Sequence, residues 1–199
     1  MKDLKLFNRW ETNVIEVQDL GLKGYINLKP ILVPRSSGRY AFQRFYKNKM
    51  NIVERLINKL MIPGHKGKKH VITSGRCGGK SYKASAIVES ALAIVEKQTK
   101  KNPVEVLVRA IEKASPREEV TSIEYGGARY SQAVDAAPQR RVDYTLRMFA
   151  QGAYQKSFGK KMDVEQALAD EIINASLSNN KSVAIMKKLE AEKQADSAR

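Results

Sequence analysis

VTSIEYGGARYSQAVDAAPQRRVDYTLRMFAQGA, residues 120–153, carries two structural periods one after the other. Residues 120–137 read as a β-hairpin: VTSIEY, a turn at Gly126-Gly127-Ala128-Arg129, then YSQAVDA. Glycine takes positive φ at little steric cost, which a tight hairpin turn demands. Pro138 then opens a helix at a position where its missing N–H breaks no intrahelical bond. At 3.6 residues per turn, Val142, Leu146, Phe149, Ala150 and Ala153 fall on one side of that helix. Arg140, Tyr144, Arg147 and Gln151 fall on the other. The first side suits a core and the second can reach phosphates.

A two-stranded ribbon is marginal in water by itself. This one offers little apolar surface beyond Val120, Ile123, Tyr125, Tyr130 and Val134. The expectation is an arm ordered against another surface, with Arg129 giving it a basic tip.

Helical stripes flank the arm on both sides. Before it, Met50, Val53, Ile57, Leu60 and Met61 form a stripe that ends at Pro63-Gly64, and Ala84, Ile87, Val88, Ala91, Leu92 and Val95 form a longer one. Asn102-Pro103-Val104-Glu105 has the pattern of an N-cap with proline at the first helical position. Leu107, Val108 and Ile111 follow it, and Ser115-Pro116 closes that helix. After the arginine-bearing helix, Asp163 with Gln166 marks a further start, with Val164, Leu168, Ile172 and Ala175 as its stripe. A last helix over roughly residues 182–194 carries Ile185, Met186 and Leu189. All these stripes are read as core, not as cofactor contacts.

Residues 1–34 are nearly neutral and contain the β-like runs NVIEV and GYINLKPILV, which predict one or two short strands. The predicted fold is mainly α: a six-helix bundle with a protruding two-stranded β-hairpin arm between the third and fourth helices. Residues 1–47 form an N-terminal extension with short strands and a basic linker. Residues 48–199 form the helical domain, with a basic loop at 63–83.

The formal charge of +15 points to a polyanionic partner. Its distribution is more informative. Residues 35–83 hold thirteen lysines and arginines against one acid, Glu54, and residues 139–161 hold six against one. Residues 162–199 hold five against seven. Blocks of one sign predict a surface that faces phosphates, not a mixed solvated face. In the linker, RSSGRYAFQRFY (residues 35–46) mixes Arg35, Arg39 and Arg44 with aromatics that can stack on bases. No apolar run approaches the roughly 20 residues that span a bilayer, and the first residues show no apolar signal segment. Cys77 is the one cysteine, so no internal disulfide is possible and a reducing cytoplasm fits. With only His65 and His70 beside it, Cys77 cannot build a closed zinc site. Neither metal nor cofactor is expected.

HVITSGRCGGKS, residues 70–81, has the look of a P-loop. The spacing fails, because the motif needs glycine at position 74 and that residue is Ser74. Lys66, Lys68, Lys69, Arg76, Lys80 and Lys83 among glycines read better as a basic loop that lets backbone approach RNA. No catalytic constellation replaces it, and no enzyme is expected. A helical DNA-binding protein remains an alternative, with residues 140–147 as its recognition helix.

GGARYSQAVDAAPQRR closely resembles the corresponding segment of ribosomal protein seven of the small subunit, in its archaeal and eukaryotic form. NIVERLINKLM resembles that family's first helix. KASAIVESALAIVEKQTKKNPVEVLVRAIEKASPREEVTSIEYGG resembles its second and third helices and the start of the hairpin. AVDAAPQRRVDYTLRMFAQGA resembles the fourth, with ADEIINAS and SVAIMKKLEAEKQADSAR resembling the fifth and sixth. YINLKPILVP and GRYAFQRF look like the extension of archaeal and eukaryotic members. The resemblance implies a primary rRNA binder that helps organise the 3′ major domain, the subunit head, beside neighbouring proteins of head and platform. It places the arm near exit-site tRNA and the mRNA path, with Tyr125, Gly126, Gly127, Arg129 and Tyr130 at the tip. It makes Arg140, Arg141 and Arg147 rRNA contacts, and the segment after the first helix the main rRNA-binding loop. Two departures stand out. The loop 64–80 looks longer than in most members, and Ile123-Glu124-Tyr125 stands where bacterial relatives carry arginines.

Overall fold

The computed structural model describes residues 4–63 and 77–199, and the backbone of residues 65–66 and 69–70. Six helices and two short ribbons follow in order: α1 (Ile52–Leu60), β1 (His65–Lys66), β2 (Lys69–His70), α2 (Ser81–Thr99), α3 (Pro103–Ala114), β3 (Glu118–Tyr125), β4 (Ala128–Asp135), α4 (Pro138–Ser157), α5 (Val164–Ser176) and α6 (Val183–Asp196). A 3-10 turn, Tyr46–Lys49, precedes α1.

Local chemistry sets several of these boundaries. Asn51 caps α1 by accepting from the Val53 N–H at 2.9 Å, and Asn102 caps α3 by accepting from the Val104 N–H at 3.0 Å. Pro103 and Pro138 occupy the first positions of α3 and α4. Asp163 precedes α5 as expected but makes no side-chain cap; Gln166 bonds Asp170 at 2.8 Å instead.

Helix α5 is the centre of the bundle. Its buried alanines, Ala167, Ala169 and Ala175, allow close approach by α2, α3 and α4. Helix α1 fills the gap between α2 and α4, and α6 lies against α4 and the base of β3. Phe149, Leu92, Leu107, Ile111, Leu146, Leu168 and Ile172 are wholly buried in one continuous core.

Residues 4–34 join that core through Leu6, Trp10, Leu22 and Ile26. The strands predicted over NVIEV and GYINLKPILV do not form. Only isolated bridges occur there, Leu6 with Trp10 and Asn27 with Asn51. The segment is a strap whose polar groups bond to helices: Trp10 Nε1 donates to Glu96 at 3.0 Å, and the Gln18 N–H donates to Glu112 at 2.6 Å. Its backbone also turns on itself, with the Leu22 N–H donating to Asp19 O at 3.0 Å and the Tyr25 N–H to Leu22 O at 2.9 Å. Amides used in turns cannot form a ladder.

The arm forms as expected. Strands β3 and β4 pair in antiparallel register from Glu118 opposite Asp135 to Tyr125 opposite Ala128. Gly126 and Gly127 alone make the turn, at φ 59° and 79°, the double positive φ of a type I′ turn. The base is held from two sides. The Ala136 N–H donates to Arg117 O at 2.8 Å, and Glu192 of α6 accepts from the Arg117 N–H at 3.1 Å. Beyond the base both strands are exposed.

Candidate nucleic-acid interface

Arg140, Asp143, Tyr144 and Arg147 are spaced i, i+3, i+4 and i+7, so they share one side of α4. Opposite them runs the turn that enters the 3-10 segment, with Arg44, Phe45 and Lys47. Together with Ala137 and Gln139 these residues enclose an open groove of about 530 Å³.

Its electrostatics are lopsided. Four cations, Arg44, Lys47, Arg140 and Arg147, face a single carboxylate, Asp143. That carboxylate is already engaged by Lys47 and by Arg55, whose Nη2 lies 3.2 Å away. Burial alone would push the Asp143 carboxyl up; the Lys47 hydrogen bond and the charges of Arg55, Lys47 and Lys59 overcome that and hold it below the usual carboxylate range. Arg55 is buried and also donates to Tyr25 O at 2.7 Å, which ties the strap to the groove floor. Lys59 shows the same crowding from the cationic side. Burial lowers its pKa, Asp143 opposes that, and Arg147, Lys47 and Arg55 lower it further. Tyr144 is half-buried, and desolvation is the main cause that keeps its phenol above the ordinary value. A cluster with this excess of positive charge is stabilised by an incoming anion.

Arg140 links the groove to the arm. It pairs with Glu119 on β3, and that hydrogen bond is the leading reason its pKa is raised. Arg147 and Arg44 are exposed and form no ion pair among the described residues.

The other predicted site residues divide clearly. Arg35, Arg39, Lys80 and Lys83 are exposed but do not line the groove. Lys68 and Arg76 lie outside the described residues, as do the side chains of Lys66 and Lys69. Arg141 is turned inward. Its side chain is 11% exposed, with Nε donating to Pro116 O at 3.1 Å and Nη2 to Asp19 at 2.9 Å. Gln151, predicted on the outward side of α4, is buried, on a helix that packs against α1, α5 and α6. Of the groove residues, Tyr144 was read on the outward side of α4 and Phe45 among the linker's stacking aromatics, whereas Lys47 and Asp143 were missed. Lys47 sits inside the counted cationic block, and only the approach of residues 44–47 to α4 distinguishes it.

At the arm's tip Gly126, Gly127, Tyr125 and Tyr130 are exposed. Arg129 pairs with Glu124 at 3.4 Å in full solvent, a contact of little energetic weight. Residues 118–135 carry Glu118, Glu119, Glu124 and Asp135 against Arg129 alone, so the arm is acidic overall and not basic. Its most exposed apolar surface is one face, where Ile123 stands opposite Tyr130 and Tyr125 opposite Ala128.

Residues 22–199 match the family of ribosomal protein S7p/S5e. The chain belongs to that family. Among its relatives, the small ribosomal subunit protein uS7 of Nanoarchaeum equitans is 54% identical over 196 residues, covering 98% of this chain and 99% of the relative. The uS7 protein of Methanosphaera stadtmanae is 46% identical over 194 residues, covering 98% of each chain. That of Methanococcus maripaludis is 47% identical over 198 residues, covering 99% of this chain and 100% of the relative. S7p/S5e is a family of ribosomal structural proteins and not of enzymes, which sets aside the P-loop reading of residues 74–81. No helix of the described residues is long and apolar enough to cross a membrane.

Proposed function

We propose that this S7p/S5e chain is a small-subunit constituent that binds rRNA directly and helps organise the 3′ major domain of the subunit head. The groove between residues 44–47 and α4 carries the proposal: four cations converge on a concave surface whose single carboxylate is already engaged. Such a surface binds RNA by neutralising phosphates that would otherwise repel, with contacts mainly to phosphate and 2′-OH. The exposed Arg35, Arg39, Lys80 and Lys83 are further rRNA contacts in this reading.

The arm has a different role in this reading. It stands near exit-site tRNA and the mRNA path, among neighbouring proteins of head and platform. Its acidic strands and exposed tyrosines act there through shape and apolar contact, not through phosphate attraction.

Binding of the full chain to a 3′ major domain rRNA fragment across a salt series tests the proposal. Each neutralised phosphate contributes a log–log slope of roughly −0.7 to −0.9, so the four groove cations alone should give about −3. A flat response would refute it. Duplex DNA should compete poorly; effective competition would favour the helical DNA-binding alternative with α4 as recognition helix.

A further inference from the structure

Phosphate neutralisation does not explain Phe45. Its side chain lines the cationic groove, is 66% exposed, and rests on a left-handed backbone at φ 65°, ψ −4°. That region disfavours any residue with a Cβ, and glycine would occupy it with less strain. Strain of this kind persists only where surrounding contacts over-determine it, and it collects at functional positions. Those contacts are present. The Asn48 N–H donates to Phe45 O at 3.0 Å, Tyr46 meets Phe42 edge-on at 5.9 Å, and the Lys49 ammonium sits 3.9 Å over the Tyr46 ring. Tyr46 is thus used within the turn, while the Phe45 ring stands exposed on the wall of a groove that Tyr144, Ala137 and Gln139 share with five charged side chains.

We infer that the groove takes one unstacked nucleotide of the RNA, its base against the Phe45 ring and its phosphate among Arg44, Arg140 and Arg147. The inference rests on the rRNA-binding reading above and narrows its ligand to a bulged or looped-out nucleotide. A regular RNA helix hides its base faces in the stack, so it could offer this groove only backbone. A splayed nucleotide offers a π-face and a phosphate together. The volume of about 530 Å³ lies within the roughly 300–1,000 Å³ of small-ligand sites. The cations supply the charge complement, and the ring supplies stacking that every base can satisfy.

The test uses the full chain with two probes: the 3′ major domain rRNA fragment, and a single-stranded hexanucleotide with a central 2-aminopurine. Phe45→Gly should bind the fragment about tenfold more weakly at fixed salt. Its salt slope should not change, because no cation is removed. Its Tm should hold or rise, because backbone strain is relieved. Phe45→Trp should retain affinity, and wild type but not Phe45→Gly should quench the 2-aminopurine. If Phe45→Gly binds like wild type while Arg147→Ala weakens binding and flattens the slope, the stacked nucleotide is refuted and the rRNA-binding groove stands. If Arg147→Ala also binds like wild type, the groove is not an RNA site and both readings fall. If Phe45→Gly and Phe45→Trp lose affinity and Tm together, Phe45 is a packing residue and the inference is overturned.

Discussion

Gly152 lies in α4 where the side chain of Glu171 from α5 passes directly against the helix. A Cβ built on Gly152 would stand 2.8 Å from Glu171 Cδ, 2.9 Å from Oε1 and 3.2 Å from Oε2. The carboxylate is wholly buried and cannot easily retreat. Oε2 accepts from Ser182 Oγ at 2.8 Å and from the Val183 N–H at 3.0 Å, so α5 supplies the cap for the first turn of α6. Lys156 Nζ stands 2.6 Å from Oε1 as an ion pair. One carboxylate therefore fastens α4, α5 and α6 together, and the missing side chain at 152 makes room for it.

Helix propensity alone says that Gly152→Ala should stabilise by about 1 kcal/mol. The geometry reverses the sign. Relieving a 2.8 Å contact requires a shift of several tenths of an ångström by the carboxylate or by the helix. Overpacking of that size costs about 1–3 kcal/mol, and weakening a charge-assisted hydrogen bond worth about 1.5–3 kcal/mol adds to it. After the propensity gain the net destabilisation should be about 1–2 kcal/mol, a fall in Tm of roughly 2–8 °C for a chain of this size. Urea or thermal unfolding of Gly152→Ala measures it directly. Glu171→Ala should be the costlier change, about 2–4 kcal/mol, since it leaves the buried Ser182 Oγ and the Val183 N–H without their acceptor and uncaps α6. In the double variant the clash no longer exists, so Gly152→Ala should become neutral or stabilising there, a coupling of at least about 1 kcal/mol. An unchanged or raised Tm for the single Gly152→Ala variant would refute the reasoning.

Two arginines of α4, Arg141 and Arg147, should separate by readout. Arg141→Ala should cost about 2–4 kcal/mol of stability by breaking a mostly buried ion pair with Asp19. Arg147→Ala should leave stability within about 0.5 kcal/mol and reduce the rRNA salt slope by somewhat less than one. Asp143 has a depressed carboxyl pKa in the fold, so its contribution is complete above the unfolded value of 3.8 and disappears as pH falls through the lower folded one. Asp143→Asn should therefore lower stability at neutral pH and show a shallower loss between about pH 5 and 2 in an acid titration followed by circular dichroism. Gly127→Ala places a Cβ at φ 79° in the arm's turn and should weaken the hairpin by about 1 kcal/mol. Affinity for the rRNA fragment should survive that change; its loss would mean that the arm, not the groove, holds the RNA.

What the sequence revealed follows the range of the physics involved. Gly126-Gly127, Asn102-Pro103 and Pro138 act through their own backbone, so the turn, the cap and the helix start could all be read from neighbours in the chain. The stripes of α1 to α5 were legible for the same reason, since 3.6-residue periodicity is local. NVIEV was misread because a strand needs a partner. Residues 13–17 find none, and the strap bonds to helix side chains in its place. Glu171 drew no notice in the sequence, where an acid in a helix is unremarkable. Only the arrival of Ser182, Val183 and Lys156 explains its burial. Phe45 gave no local sign of its left-handed backbone.

The cationic blocks show the limit most sharply, because a charge count treats Arg140 and Arg141 as equals. Successive residues on a helix point about 100° apart. When Val142 and Leu146 are fixed in the core, that angle sends Arg140 towards Glu119 and the groove and sends Arg141 under the strap to Asp19 and Pro116 O. One charge remains available at the surface and the other closes the fold. The same rotation brings Asp143, Tyr144 and Arg147 round to the groove on the following turns. Groove membership on α4 is therefore set by phase along the helix and by where residues 44–47 cross it, not by the density of positive charge. A variant that moved one arginine from 147 to 148 would keep the block's net charge and yet lose the site, since Met148 faces the core.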